Sequence, residues 1–312
     1  MKNDFIKYLE SKDFSKNTQN HYGSNVTHFK EWYGKDVINC TKKDILNYLE
    51  HLYKKGLQNR TRSWVLTALN HYFTFLLKNG VIASNPATLL KIRGTHKRIL
   101  YNIYTPEQLN DLYDNYYHTF IRNFDGSRIP LSTRHRCILS RERNYVMLGL
   151  LLYQGLQPNE LHKITLDDVN LNKATLTIQG GKKINGRKLP LQAAQIGALI
   201  NYLNNIRPQF ADLYNGDTNA LLLPLPENNN NTAHAEHLKG TLQILTEQVK
   251  TLDKNFESFK QVRASVITYW LKTEGLRKAQ YLAGHRYISS TEQYLPNDLE
   301  SLADDITKFN PF

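Results

Sequence analysis

Apolar residues recur at three- and four-residue spacing through most of the chain, and that period predicts helices. In NTQNHYGSNVTHFKEWY (17–33) the stripe is Tyr22, Val26, Phe29 and Trp32 or Tyr33. In TKKDILNYLEHLYKKG it is Ile45, Tyr48, Leu49 and Leu52, with Thr41 and Asp44 spaced as a capping box and Gly56 as the stop. NRTRSWVLTALNHYFTFLLKNG repeats the pattern and ends at Gly80, after which Asn85-Pro86 breaks the chain before a short ATLLKI segment. Four or five short helices thus form a domain over residues 1–93. Residues 94–103 read as a basic linker without periodicity, and a second domain covers 104–312.

That second domain opens at TPEQLNDLYDNYY, with Thr105 at the N-cap, Pro106 at the first helical position and Gln108 at the third. Residues 119–140, carrying Arg122, Arg128, Arg134 and Arg136, read as a long loop, either a solvated insertion or a nucleic-acid-contacting one. ERNYVMLGLLLYQG (142–155) reads as a buried helix and PNELHKIT (158–165) as a second. The period then changes to two. KATLTIQ (173–179) alternates as a strand, GGKKINGR turns, and KLPL is a second strand. LQAAQIGALINYLNNI returns to helix, PENNNNTAHAEH (226–237) is a polar low-complexity loop, and helices follow at 260–274, 276–283 and 290–306. The expected architecture is mainly α with a small β-hairpin or sheet.

Charge narrows the function classes. Lys and Arg exceed Asp and Glu by 12, and the basic residues are scattered over both halves, which suits a folded surface facing a polyanion such as nucleic acid. Arg60, Arg62, Lys54 and Lys55, near helix ends, are candidate contacts. The longest apolar run, VMLGLLLY, is far too short to span a bilayer, and MKNDFIKYLESKDF is amphipathic without a signal pattern. A cytoplasmic location is expected, nucleoid-associated when DNA is bound, with no membrane contact. Cys40 and Cys137 fit a reducing compartment and have no metal-type spacing. His234 and His237 share a polar loop that fixes no geometry, so no metal or cofactor is expected.

Three clusters carry candidate chemistry: GLQPNEL (155–161), Lys182 in the hairpin turn, and FKQVRAS (259–265) followed by GH (284–285) and TEQY (291–294). Taken singly, Lys182 is a turn lysine, and Arg263 with Lys260 a solvated helix face. Together they supply what a phosphodiester transesterification needs. A tyrosine can attack phosphorus and hold a covalent intermediate. An arginine can grip non-bridging oxygens through its fork. A lysine or histidine can donate protons and stabilise charge in the transition state.

On these motifs nearly the whole chain resembles the tyrosine recombinases of the phage integrase family. The N-terminal helical segments resemble the family's SAM-like core-binding domain. RNYVMLGLLLYQGLQPNELHKITLDDVNL resembles its first catalytic box, TIQGGKKINGRKLPL its lysine-bearing hairpin, and FKQVRASVITYWLKTEGLRKAQYLAGHRYISSTEQYLP its second box. The resemblance implies a site-specific, integrase-type recombinase that cuts double-stranded DNA through a 3′-phosphotyrosyl link, without ATP or metal, as a homotetramer on the DNA synapse. It makes Tyr294 the nucleophile, Arg263 and His285 phosphate ligands, and Lys182 (or the adjacent Lys183) the acid for the leaving 5′ oxygen. Lys260 stands where the family usually has histidine, Ala264 where a second histidine often follows, and Glu160 at the acidic position of the first box.

One position departs: the family's Gly-Leu-Arg is Gly155-Leu156-Gln157 here. Three readings stay open. Gln157 works at reduced rate; another arginine, Arg143 or one from 119–140, fills the gap; or the chain is a catalytically impaired DNA-binding or accessory protein. A type IB topoisomerase-like enzyme is a weaker further alternative. The last segment, with Leu295, Leu299, Leu302 and Ile306 on one face, is expected to pack on a neighbouring protomer or on its own domain.

Overall fold

Capping residues mark the helix starts in the computed structural model, which describes residues 2–95, 100–182, 184–213, 218–225 and 235–297. The chain divides into two units, 1–99 and 100–312. In the first, α1 covers Lys2–Ser11 and α2 Lys16–Tyr33, with the Ser15 hydroxyl accepting from the Thr18 amide. α3 (Lys42–Lys54) has the predicted Thr41/Asp44 capping box, and α4 runs Asn59–Lys78. Their stripes meet in one core of Phe5 and Leu9, Val26 and Phe29, Ile45 and Tyr48, and Leu69, Tyr72, Phe73 and Leu76. The short segment after Pro86 makes turns.

In the second unit α5 (Pro106–Tyr116) starts at the Thr105/Gln108 capping box. The long loop expected over 119–140 is corrected here. α5 runs on as a π-helical segment, Tyr117–Arg122, and α6 spans Leu131–Tyr153, so only 123–130 lie outside helices. The arginines masked the period because this stretch is mostly outward-facing: Arg122, Arg128 and Arg136 are exposed. Arg134 instead donates to the carbonyls of Ser127 and Ile129. The second half of α6 is the buried centre, with Met147, Leu148, Leu150, Leu151 and Leu152 packed among α5 and later helices.

α7 keeps only Pro158–Leu161 of the helix expected over 158–165. A capping box at Thr165/Asp168 then turns the chain into β1 (Val169–Asn170). β2 (Thr175–Ile178) and β3 (Arg187–Pro190) form the expected antiparallel hairpin, and β1 joins its other edge, in the order β1-β2-β3. The register sets Leu176 opposite Leu189 and Ile178 opposite Arg187, all four on the buried face. α8 (Ala193–Asn201) passes through a π-helical segment, Tyr202–Ile206, into α9 (Arg207–Ala211).

α10 (Ala235–Leu252) is a helix absent from the sequence reading; it takes in the last three residues of the expected polar loop, whose residues 226–234 lie outside the described ones. α11 (Phe259–Ala283) is broken at Gly275 (φ 75°, ψ 168°), where the sequence divides 260–274 from 276–283. The helix expected from 290 stops early: α12 is Ser289–Glu292, followed by a 3-10 turn at Leu295–Asn297. Leu299, Leu302 and Ile306 lie outside the described residues. Among the described residues no helix is long and apolar enough to cross a membrane.

Candidate active site

The site grows from two tight turns and the first arm of α11. Gly155 ends α6 at φ 54°, and an added Cβ there would sit 3.0 Å from Val266. The tight fit brings the Gly155 carbonyl onto Nη1 of Arg263, which donates to it at 2.5 Å. Two residues on, the Gln157 amide donates to Glu160 Oε2 at 2.8 Å. Glu160, buried on α7, also accepts a fork from Arg187 of β3: Nη1 to Oε1 at 2.7 Å and Nη2 to Oε2 at 3.0 Å. Nη1 of Arg263 lies 3.9 Å from the same Oε2. One carboxylate thus ties the 155–157 turn, the hairpin and α11.

The other turn follows α11. Gly284 caps the helix at φ 68°, and a Cβ there would run into the Arg187 guanidinium. Nη2 of Arg263 donates to the Ala283 carbonyl at 2.7 Å and to His285 Nε2 at 3.3 Å. Because arginine only donates, Nε2 accepts, and the network assigns the proton to Nδ1, 2.9 Å from Thr291 Oγ1. The Tyr294 ring stacks on His285, with centroids 5.9 Å apart and planes 13° from parallel. Tyr294 is close enough to raise the Arg263 pKa, against the effect of burial.

The hairpin turn is sewn to this second turn. The Asn185 amide donates to the Gly284 carbonyl at 3.0 Å, Ile184 bridges to His285, and Arg286 Nη1 donates to the Lys182 carbonyl at 2.7 Å. Lys182 is therefore held on the rim beside His285, with its side chain exposed. Lys183 lies outside the described residues.

Electrostatics follow from burial and from the two guanidinium groups. Burial, then the charges of Arg263 and Arg187, push His285 down to about 4, so it is neutral at pH 7. Burial would raise Glu160, but the Arg187 fork, the Gln157 amide and the Arg263 charge outweigh it and hold Glu160 below the usual carboxylate range. Burial also lowers Arg263 from its ordinary value, opposed by Glu160 and Tyr294. With Glu160 ionised and His285 neutral, the pocket carries two positive charges and one negative. Among the described residues no group of three His, Cys, Asp or Glu side chains could hold a metal.

The sequence-derived residues Gln157, Glu160, Arg263, His285 and Tyr294 thus come together, with Lys182 on the rim. Lys260 is exposed on the first turn of α11, one turn before Arg263. Arg143 is corrected as a stand-in for the missing arginine. Its guanidinium is buried against Asn144, donates to the Leu223 carbonyl at 3.1 Å and lies over Phe210. Arg187 was not among the expected residues. Its signal was the alternation of β3, which puts Arg187 on the inward face with Leu189; an inward arginine needs a buried acid. In the first unit Arg60 is exposed over the Trp64 ring, and Lys54 pairs with Glu50 at 2.9 Å beside the exposed Lys55. Arg62 is partly internal, bonded to Asn59 and lying over Tyr53.

Known proteins are similar to this chain in sequence and in fold. Residues 3–80 match the family model for the phage integrase N-terminal SAM-like domain, and residues 112–300 that for the phage integrase family. The chain is 27% identical over 321 residues to tyrosine recombinase XerC of Bacillus pumilus, covering 98% of this chain and 95% of that one. It is 26% identical over 305 residues to XerC of Alcanivorax borkumensis, covering 96% and 90%. In fold it is similar to the XerH site-specific recombinase bound to a palindromic difH substrate in a post-cleavage complex (TM-score 0.68, 20% identity, 93% of this chain and 79% of that one). It is also similar to a lambda integrase dimer bound to a core site (TM-score 0.64, 14% identity, 95% and 94%).

Proposed function

Since this chain belongs to the phage integrase family, the site-specific tyrosine recombinases, we propose that Tyr294 is its nucleophile and Arg263 the grip on the scissile phosphate. The Tyr294 oxygen attacks phosphorus, a 3′-phosphotyrosyl bond forms, and the bond to the 5′ oxygen breaks. Rejoining runs the same step backward with the 5′ hydroxyl of another strand. The phosphodiester energy is kept in the tyrosyl link, so the residues need only position, accept and donate protons.

The observation that carries this reading is the meeting of Tyr294, Arg263 and His285 within one chain: the Tyr294 ring stacks on an imidazole whose Nε2 accepts from Arg263. Arg263 presents a desolvated charge to the phosphate oxygens, where it is worth more than in water. His285 hydrogen-bonds a phosphate oxygen. Its Nε2 accepts from Arg263 in the free site, so binding requires either a proton on that nitrogen or a turn of the network, and an arriving anion favours the proton. Lys182, on the rim, protonates the leaving 5′ oxygen, and Lys260 faces the flanking phosphate backbone. Glu160 orients the pocket and touches no substrate. Arg60 and Lys55 supply duplex contacts from the first unit, and four protomers on two duplexes complete the exchange.

Gln157 favours a second reading, a DNA-binding protein without cleavage. One experiment separates them. A nicked duplex that traps the cut strand is incubated with wild type and Tyr294→Phe, and protein–DNA adduct is scored on a denaturing gel. Adduct from the wild type alone supports the recombinase; duplex binding without adduct supports the accessory reading.

A further inference from the structure

The pocket lacks the first-box arginine, yet it does not lack a second guanidinium. Arg187 reaches it from β3. Its side chain is 0% exposed, its fork closes on Glu160, and its Nη1 packs against Gly284, next to His285. Its Nε is also buried and has no acceptor among the described residues. Such a residue is costly: an arginine on the inward face of a strand loses its hydration and needs a buried partner. Leu189, two residues on, shows what the face otherwise accommodates.

Charge counting says what it contributes. Without Arg187 the pocket holds Arg263 against Glu160, with His285 neutral, and is net neutral. A phosphoryl group gaining negative charge in its transition state would meet no surplus fixed charge from the buried groups, only the proton it draws onto His285. With Arg187 the pocket is net positive. Of the other candidates, Arg143 is spent on Leu223 and Asn144 and Arg134 on the Ser127 and Ile129 carbonyls, and Arg122, Arg128 and Arg136 are exposed.

We propose that Arg187 supplies the second positive charge that Gln157 does not, acting as a positioning residue that fixes Glu160 and the 155–157 turn while making the phosphate pocket net positive. The inference rests on the tyrosine-recombinase chemistry proposed above. It places the missing charge on the hairpin instead of the α6–α7 turn, so hairpin and phosphate grip are built together.

The test uses full-length protein and nicked duplexes captured covalently from a pool randomised on both sides of the nick. Adduct rates are compared for wild type, Arg187→Gln, Gln157→Arg and the double variant, with melting temperature and duplex affinity measured beside them. Arg187→Gln is expected to slow adduct formation by about 10²–10³-fold, the usual cost of a preorganised transition-state group, while duplex affinity changes by less than about 3-fold, since the effect is on the transition state. Gln157→Arg alone is expected to gain less than about 10-fold, because the charge is already present. In the double variant Gln157→Arg restores much of the rate while the melting temperature stays low, which a purely structural role for Arg187 would not produce. If Arg187→Gln does not fold, Arg187→Lys, which keeps charge but not the fork, takes its place; it is expected to be slow and to be accelerated by Gln157→Arg. An unimpaired Arg187 variant, or one that Gln157→Arg leaves as slow as before, overturns the proposal. Wild type that forms no adduct overturns the tyrosine reading itself and this inference with it.

Discussion

Replacing Glu160 by glutamine removes one charge and leaves the shape. The carboxylate accepts three N–H groups: Arg187 Nη1 at 2.7 Å, Arg187 Nη2 at 3.0 Å and the Gln157 amide at 2.8 Å, with Arg263 3.9 Å away. An amide has one oxygen and one NH₂, so either orientation turns a donor toward a guanidinium N–H. Arg187 then keeps a buried charge with no counter-ion. Breaking a buried pair in this way costs about 3–5 kcal/mol. At about 2–4 °C per kcal/mol for a domain of this size, the melting temperature of the catalytic unit should fall by roughly 6–20 °C. Calorimetry of the full chain at pH 7 reads this directly. The double change Glu160→Met with Arg187→Leu should recover most of the stability, since an apolar pair carries no desolvation penalty, while adduct formation stays lost. The sign with pH is fixed by the lowered Glu160 pKa: its stabilisation is complete above the unfolded value of about 4.3 and is lost as pH falls through the lower folded value. The wild type and Glu160→Gln should therefore begin to converge as pH falls below about 4.3 and meet once it is below the folded Glu160 value. A shift under about 2 °C at pH 7, or a double variant no more stable than the single, would refute the argument.

Other consequences are simpler to check. Tyr294→Phe should abolish covalent adduct and change stability by less than about 1 kcal/mol, because the half-buried ring and its stacking remain. Gly284→Ala should cost about 1–2 kcal/mol from the left-handed backbone alone, and more because the added carbon displaces Arg187; thermal unfolding measures it, and adduct rate should fall with it. His285, depressed to about 4, should make stability decline as pH falls from about 6.5, where the unfolded histidine takes a proton that the folded one refuses. That slope should shrink in His285→Gln. Arg60→Ala should weaken duplex binding and reduce its salt slope by about one at unchanged stability, while Arg62→Ala should destabilise by about 1–2 kcal/mol through its lost bond and ring contact.

Local rules were enough where the chemistry was local. The Thr41/Asp44 and Thr105/Gln108 boxes, the hairpin and the interruption at Gly275 all depend on a few neighbouring residues. The first half of α6 was hidden because Arg134 and Arg136 stand where a period-counting eye wants apolar side chains, and Gly126 and Pro130 nearby read as loop. α10 was hidden behind the polar run before it. Arg187 was hidden for a different reason. Its environment is made by Glu160, 27 residues earlier, and Gly284, 97 residues later, and only the folded chain brings them to one place.

Gly275 lies within the second-box stretch but offers it no side chain, and nothing stands within 4 Å of where its Cβ would be. A side chain would fit there, yet the backbone angles (φ 75°, ψ 168°) belong to glycine almost alone. Were α11 to run straight, Arg263 and Ala283 would be about 30 Å apart at 1.5 Å per residue. Instead the chain doubles back, and the two are joined by a 2.7 Å hydrogen bond. The arm bearing Arg263 and the arm leading to Tyr294 are two blades on one rivet. A substitution at this exposed position would leave Arg263, His285 and Tyr294 unchanged and still disturb the turn that brings them together.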